Sequence, residues 1–348
     1  MENRKIALVY DNGCTNLRAA LVDNEGNVLA QDLVKVAGIT TNEDLSKRAK
    51  DMGDKLIQTA GCNLDDIIGV GIASAGNFNE HGNIDLMPNS KIPEGVEITF
   101  PTDIEKHYKK PTVKINDCSA GARAAQVFGL GKGKNYGVIA YITMSTGVNS
   151  GYIIHGEVYR GEKGKNPESG HSLAIYNGRE CGCGGKGHFE AYLSGSAIAG
   201  MAREKLEDQD GGYLAKSRIY QRSCKELGVD IKEREKILAN IKAEHVYSAL
   251  NEGDNDAEEI NDTVTTVLAA LLGQQITTFR PGMIELGGSI IVNNQKILSV
   301  ALKKLNRNRD YSAFGQDNVA IGITPLGDDN ILLGVAAEVF YKVKSVRK

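Results

Sequence analysis

Four metal-ligating side chains fall within eighteen residues: His171, Cys181, Cys183 and His188, spaced H-x9-C-x-C-x4-H. Two thiolates and two imidazoles suit tetrahedral zinc, and the thiolates neutralise the ion's charge. Four protein ligands leave no open position, so such a zinc would be structural. Two carboxylates, Glu168 and Glu190, bracket the knot. A metal-stapled loop that fixes two acids is a device for holding a polar ligand. The alternative is an unligated Cys-x-Cys in a glycine-rich loop with two ordinary histidines. The GxGxxG at Gly182 to Gly187 lies between cysteines with no strand before it, which removes it as a dinucleotide fingerprint.

Three glycine turns offer anion-binding backbone. Asp11-Asn12-Gly13-Cys14-Thr15 sits between two strand patterns, where N–H groups and the Thr15 hydroxyl can face a phosphate. Gly13 permits close approach, and Asp11 could hold a water of Mg2+. Ser145-Thr146-Gly147 repeats this equipment, and Gly287-Gly288 adds a third platform. Each turn alone also reads as a plain hairpin or strand end. Neither a P-loop nor a protein-kinase motif set occurs. Asn116-Asp117 ends a strand, where open α/β sheets present ligand-binding residues. Asp117 reads equally as a general base or as the cap of a helix starting at Ser119.

These residues are positioned by alternating strands and helices. Ile6–Tyr10, Leu17–Val22 and Val28–Val36 read as strands, then Asn42 caps a helix to Thr59 with Leu45, Ala49, Met52 and Leu56 on one face. Ile67–Ala73 and Thr112–Asn116 are further strands. The opening pattern returns at Val138–Thr143 and Val148–His155, so the chain reads as a duplicated α/β protein with two similar lobes. Glu252–Asp262 is a solvated acidic stretch, Val264–Phe279 an apolar-faced helix, and Met283–Leu286 a strand. Asp328 and Asp329 are expected to cap a closing helix, Ile331–Tyr341.

At 348 residues, two domains are the natural expectation. A net charge of −3 points to neither nucleic acid nor membrane as partner. With no long apolar run and no signal-peptide pattern, the expected setting is cytoplasmic. Cys14, Cys62, Cys118 and Cys224 are scattered and read as free thiols.

Taken together, these residues resemble the ROK family, named for repressors, open reading frames and kinases, within the actin-like sugar-kinase superfamily. The family's zinc signature is matched by Glu168-Ser169-Gly170-His171, Cys181-Gly182-Cys183-Gly184 and Gly187-His188-Phe189-Glu190. Its Asp-x-Gly-x-Thr turn is matched by Asp11 to Thr15, its Pro-Asn sugar contact by Pro88-Asn89, and its Asn-Asp pair by Asn116-Asp117. The second phosphate turn corresponds to Thr146-Gly147, and the adenosine-side glycines to Gly287-Gly288. The resemblance spans nearly the whole chain. It implies two ribonuclease-H-like lobes of the actin-like ATPase fold around a central cleft. Residues 1–116 plus 332–348 would form the small lobe, and 117–331 the large lobe with the zinc loop. It also implies ATP, Mg2+ and structural Zn2+, a hexose or N-acetylhexosamine substrate, and a homodimer. Asp117 would be the base for transfer to a hexose 6-hydroxyl, while Asn89, Asn116, Glu168, His171 and Glu190 would bind the sugar.

The chain departs from the family pattern in three places. His188 replaces the last cysteine, Cys14 and Asn16 replace a glycine and a lysine, and STGVNSG places Asn149 where glycine is commoner. A glucokinase is the leading expectation. An N-acetylmannosamine or N-acetylglucosamine kinase uses the same residues and differs in the room around the sugar's second carbon. A sugar-sensing repressor would carry an N-terminal helix-turn-helix, for which the first strand, near residue 5, leaves no place. A non-catalytic sugar binder is the remaining expectation.

Overall fold

The computed structural model describes residues 5–13, 15–85, 92–93, 95–308 and 318–345, so Cys14, Pro88 and Asn89 lie outside the described residues. The first half runs β1 (Ile6–Asn12), β2 (Asn16–Asp23), β3 (Val28–Lys35), α1 (Asn42–Thr59), β4 (Ile67–Ser74), α2 (Phe100–Tyr108), β5 (Thr112–Asn116) and α3 (Asp117–Val127). Then come β6 (Val138–Met144), β7 (Val148–Ile154) and β8 (Glu157–Val158). A mainly helical stretch follows before β9 (Met283–Gly287) and β10 (Ala320–Ile323), and the helix Asn330–Ser345 closes the described chain.

The protein is mixed α/β with two five-stranded sheets, ordered β3-β2-β1-β4-β5 and β8-β7-β6-β9-β10. The second order is the first with each strand's rank advanced by five, so the duplication read in the sequence is a repeat of topology. In the first sheet β2 pairs antiparallel with β1 and β3, whereas β4 pairs parallel with β1 and β5. The chain divides into two compact units. One comprises Met1–Tyr141, Gly151–Pro167 and Thr324–Lys348, and the other Ile142–Ser150 and Glu168–Ile323. No helix among the described residues is long and apolar enough to cross a membrane.

Alternation in β1 gives the first sheet two buried faces. Leu8 and Tyr10 pack with Leu45, Ala49, Met52 and Leu56 of α1 and with Phe100 and Ile104 of α2. Ala7 and Val9 face the other way, into a cluster with Ala120 of α3 and Leu332, Val335 and Val339 of the C-terminal helix. Asp11 continues the Ala7/Val9 row and is paired in register with Arg18, so both project on the face where α3 begins.

Two expected helix starts move. Thr41 caps α1, while the Asn42 side chain bonds the Glu97 carbonyl and the Thr99 N–H. Helix α3 starts at Asp117 instead of Ser119, and it packs within the first unit against the C-terminal helix. Arg18 donates to the Asp328 carbonyl and the Asp329 carboxylate ahead of that helix.

The first turn of α3 is held very closely. A Cβ on Gly151 of β7 would lie 2.1 Å from the Cys118 carbonyl oxygen, and one on Gly334 would lie 1.8 Å from that of Ala120. Only glycine fits at either contact. Deeper in, Arg123 Nε donates to Glu338 Oε2 at 2.6 Å, both side chains being buried, and its guanidinium also reaches the Gly156 carbonyl at 3.0 Å. Removing one member of such a buried pair costs about 3–5 kcal/mol, because it strands the other charge.

Candidate active site

In the first unit, Asp11 ends β1 and Asp117 opens α3. Asn116 is the N-cap of α3: its Oδ1 accepts the Cys118 N–H at 2.9 Å, and its Nδ2 donates to the Ser74 carbonyl at 3.4 Å. Asp117 is therefore the first residue inside the helix, although its Oδ1 also accepts from Cys118 N–H at 2.7 Å. Burial pushes the Asp117 carboxyl up to about 6, against the lowering pull of the Cys118 bonds. Asp11 is pushed up to about 7, chiefly by burial and secondly by the charge of Asp117, with Arg18 opposing both. Both carboxyls are thus raised toward neutrality, the direction expected of groups that move protons.

The first glycine turn differs in detail from the sequence expectation. The Gly13 N–H is spent on the Asn16 carbonyl at 3.0 Å and does not face outward. A Cβ on Gly13 would make only an ordinary contact at 3.4 Å, so no neighbour among the described residues demands glycine there. Thr15 is exposed.

In the second unit, the two remaining glycine turns lie side by side. Ser145 Oγ is 3.3 Å from Ser289 Oγ, and Gly288 has φ +90° with Met144 against it, where a Cβ would sit 2.4 Å from the Met144 carbonyl oxygen. Thr146 is exposed at the tip, and Gly147 closes the turn through Ser145 N–H.

Both acids that bracket the histidine–cysteine loop are braced by backbone or amide donors. Glu190 Oε2 accepts the Val148 N–H at 2.9 Å, and it lies where a Cβ on Gly147 would be only 2.7 Å away. Glu168 Oε2 accepts from Asn149 Nδ2 at 2.7 Å. Asn149 Oδ1 in turn accepts from Ser150 N–H at 2.8 Å and Ser169 N–H at 3.0 Å. Asn149, a departure from the family pattern, thus has a defined task that its local sequence did not announce. Arg18 is the other residue missed, since its partners lie some three hundred positions away.

The four candidate metal ligands converge. One donor atom from each of His171, Cys181, Cys183 and His188 lies within 4.8 Å of all the others. His171 Nδ1 is 3.7 Å from Cys181 Sγ, and His188 Nδ1 is 3.3 Å from Cys183 Sγ. Tetrahedral zinc with its usual bond lengths needs nitrogen–sulfur edges of roughly 3.5 Å, so the donor set fits that ion. The loop is fixed to its surroundings by Arg179, which donates to the Ala191 carbonyl at 3.2 Å and forks onto Glu204 at 2.5 and 2.6 Å.

The sequence expectations thus fall into two groups. Asp11, Gly13, Thr15, Asn116 and Asp117 belong to the first unit. Thr146, Gly147, Glu168, His171, Glu190, Gly287 and Gly288 belong to the second, together with the three other metal-ligand candidates.

Comparison with known proteins gives these arrangements a context. The chain is 28% identical to a glucokinase of Pyrobaculum calidifontis over 346 residues, covering 98% of this chain and 97% of that protein. It is 36% identical to a xylose repressor of Bacillus subtilis over 147 residues, covering 41% of this chain and 37% of that protein. Its fold is similar to the crystal structure of ROK hexokinase from Thermus thermophilus, with a TM-score of 0.76 and 21% identity over 97% of this chain and 99% of that one. The sequence profile of the ROK family matches residues 8–340, and the chain belongs to that family.

Proposed function

We propose that this chain is an ATP-dependent sugar kinase that phosphorylates the 6-hydroxyl of a hexose, with glucose as its acceptor. The observation that carries the reading is Asp117, held at the first turn of α3 with its carboxyl raised to about 6. At neutral pH it is ionised and still basic enough to accept a proton, which is the balance general-base catalysis requires. A sugar hydroxyl is a very weak acid, so Asp117 contributes by orienting it as well as by taking its proton late in the transfer.

Magnesium-bound ATP supplies the phosphoryl group and the cation that offsets its charge. Asp11 is the residue that would hold a water of that cation. The exposed Thr15 and Thr146 hydroxyls and the Gly287-Gly288 corner would meet the nucleotide. Because no neighbour among the described residues demands glycine at position 13, the absence of a side chain there fits close approach of a ligand. Asn89, Asn116, Glu168, His171 and Glu190 would bind the sugar hydroxyls. Their carboxylates would make charge-assisted bonds that select the ring's stereochemistry. Zinc on His171, Cys181, Cys183 and His188 would hold the loop carrying Glu168, His171 and Glu190.

The test is ADP release with Mg-ATP against glucose, N-acetylmannosamine, N-acetylglucosamine, mannose and fructose, with Asp117→Asn beside the wild type. Turnover on glucose that disappears in the variant supports the reading. Turnover confined to an N-acetylated sugar moves the assignment to a hexosamine kinase. Sugar binding without turnover on any of the five would make the protein a sugar-responsive binder, and the Gly13 N–H being closed onto Asn16 is the feature that favours that outcome.

A further inference from the structure

A cavity of about 210 Å3 opens within the first unit beside Asn116, the space of roughly seven waters at about 30 Å3 each. Its buried lining is neutral and polar: Asn116, Ser119 and Asn166. Ser119 Oγ donates to Asn166 Oδ1 at 2.5 Å, and Asn166 N–H donates to Asn77 Oδ1 at 3.0 Å. Phe78 adds one apolar wall. Amides, a hydroxyl and an aromatic face in this proportion suit a polyhydroxylated ring better than a hydrocarbon.

The charged lining is basic. Among the described residues, the half-buried Lys114 and the exposed Arg160 and Lys163 contribute three cations against the carboxylate of Glu80. Lys114 is committed to Glu105 at 2.6 Å, and Glu80 lies beside His81. Arg160 donates to the Lys114 carbonyl at 3.2 Å, and neither it nor Lys163 joins an ion pair among the described residues. Lys163 also sits in the left-handed region at φ 58°, a conformation that disfavours a lysine and is enriched at ligand clamps. The tight turn that holds it there is closed by Gly161 N–H on the Lys165 carbonyl at 2.7 Å.

We propose that this cavity binds a monosaccharide carrying an oxyanion, with the ring on the amide lining and the phosphate or carboxylate against Arg160 and Lys163. The choice of a sugar as the carrier rests on the kinase reading, and a hexose phosphate has the chemistry of that reaction's product. Because Asn116 serves both this cavity and the candidate acceptor site, the sugar anion competes with the acceptor.

The test is calorimetric titration of the full chain without nucleotide, using glucose 6-phosphate, gluconate, glucose and inorganic phosphate. It is run on the wild type and on the double variant Arg160→Glu/Lys163→Glu, two exposed substitutions that leave the core untouched. The expected result is that the sugar anions bind more tightly than glucose or phosphate, and that the variant weakens them about tenfold while glucose changes less than twofold. Preference for gluconate over glucose 6-phosphate would identify a sugar acid as the ligand, and the reverse a sugar phosphate. Inorganic phosphate binding as tightly as either, or equal losses for glucose and the anions, overturns the proposal. The titration needs no turnover, so failure of the kinase reading leaves its outcome legible. Turnover with no sugar-anion binding sinks this inference alone.

Discussion

Asn149 holds Glu168: its amide nitrogen donates to the carboxylate at 2.7 Å, while its oxygen takes the N–H groups of Ser150 and Ser169. The side chain thereby links the second glycine turn to the acid that opens the histidine–cysteine loop. Three hydrogen bonds at one amide make it a rigid bracket, and the bracket exists only because asparagine stands where the family favours glycine.

Asn149→Gly should therefore raise the KM for the sugar with little change in kcat. One lost hydrogen bond to an exposed carboxylate is worth about 1 kcal/mol, or roughly fivefold in affinity. Initial rates over a sugar titration check this, and a fall in kcat alone would mean that Asn149 serves the nucleotide side.

The raised carboxyl of Asp117 sets a pH profile. As the proposed base it must be ionised, so kcat/KM should fall at least tenfold per unit below about pH 6. The stability effect has the opposite sign. A carboxyl whose folded pKa is raised stabilises the fold fully below its unfolded value, and that contribution is lost as pH rises through 6 for Asp117 and 7 for Asp11. Asp117→Asn should thus melt higher than wild type at pH 8 without magnesium, by about 1–2 kcal/mol, while losing activity. Equal melting temperatures at pH 8 would mean that the carboxylate is better solvated than its surroundings indicate.

What the sequence disclosed and what it hid follow one rule. His171, Cys181, Cys183 and His188 converge through a short loop, so their spacing alone announced the cluster. The strands of the first sheet were readable because apolar runs between polar turns leave little choice of partner. The start of α3 was less determined, since Asn116, Asp117 and Ser119 are all good caps and only the fold selects Asn116. Thr41 and Asn42 posed the same ambiguity, resolved by Asn42 bonding the chain at Glu97 and Thr99. The bonds of Arg18 to Asp328 and Asp329, and of Asn149 to Glu168, were invisible because those partners are remote in sequence.

Metal content is the simplest check on the histidine–cysteine loop. The purified protein should carry about one zinc per chain, and Cys183→Ser should release it. Chelation should weaken sugar binding, because Glu190 lies within the same loop structure and Oε1 is 3.9 Å from Cys181 Sγ. Full sugar affinity in a zinc-free sample would reduce the metal to a dispensable staple.

Gly151 and Gly334 offer a test of how closely the proposed base is positioned. They press on consecutive parts of one helical turn, at the carbonyls of Cys118 and Ala120, and Asp117 is the residue that turn carries. An alanine at either position forces backbone apart, since the obstacle is a carbonyl group rather than a flexible side chain. Overpacking of this kind costs about 1–3 kcal/mol in stability. Its effect on turnover should be larger, because a displacement of about 1 Å at a reacting group can cost about a hundredfold in rate. Gly151→Ala and Gly334→Ala should therefore lower kcat far more than they raise KM, and should shift the acidic limb of the pH profile as the environment of Asp117 changes. Gly211→Ala, at a position with open space around it, is the control and should leave both unchanged. Loss of stability with kcat and the pH profile intact would show that the two glycines serve packing alone and that α3 absorbs the push without moving its first residue.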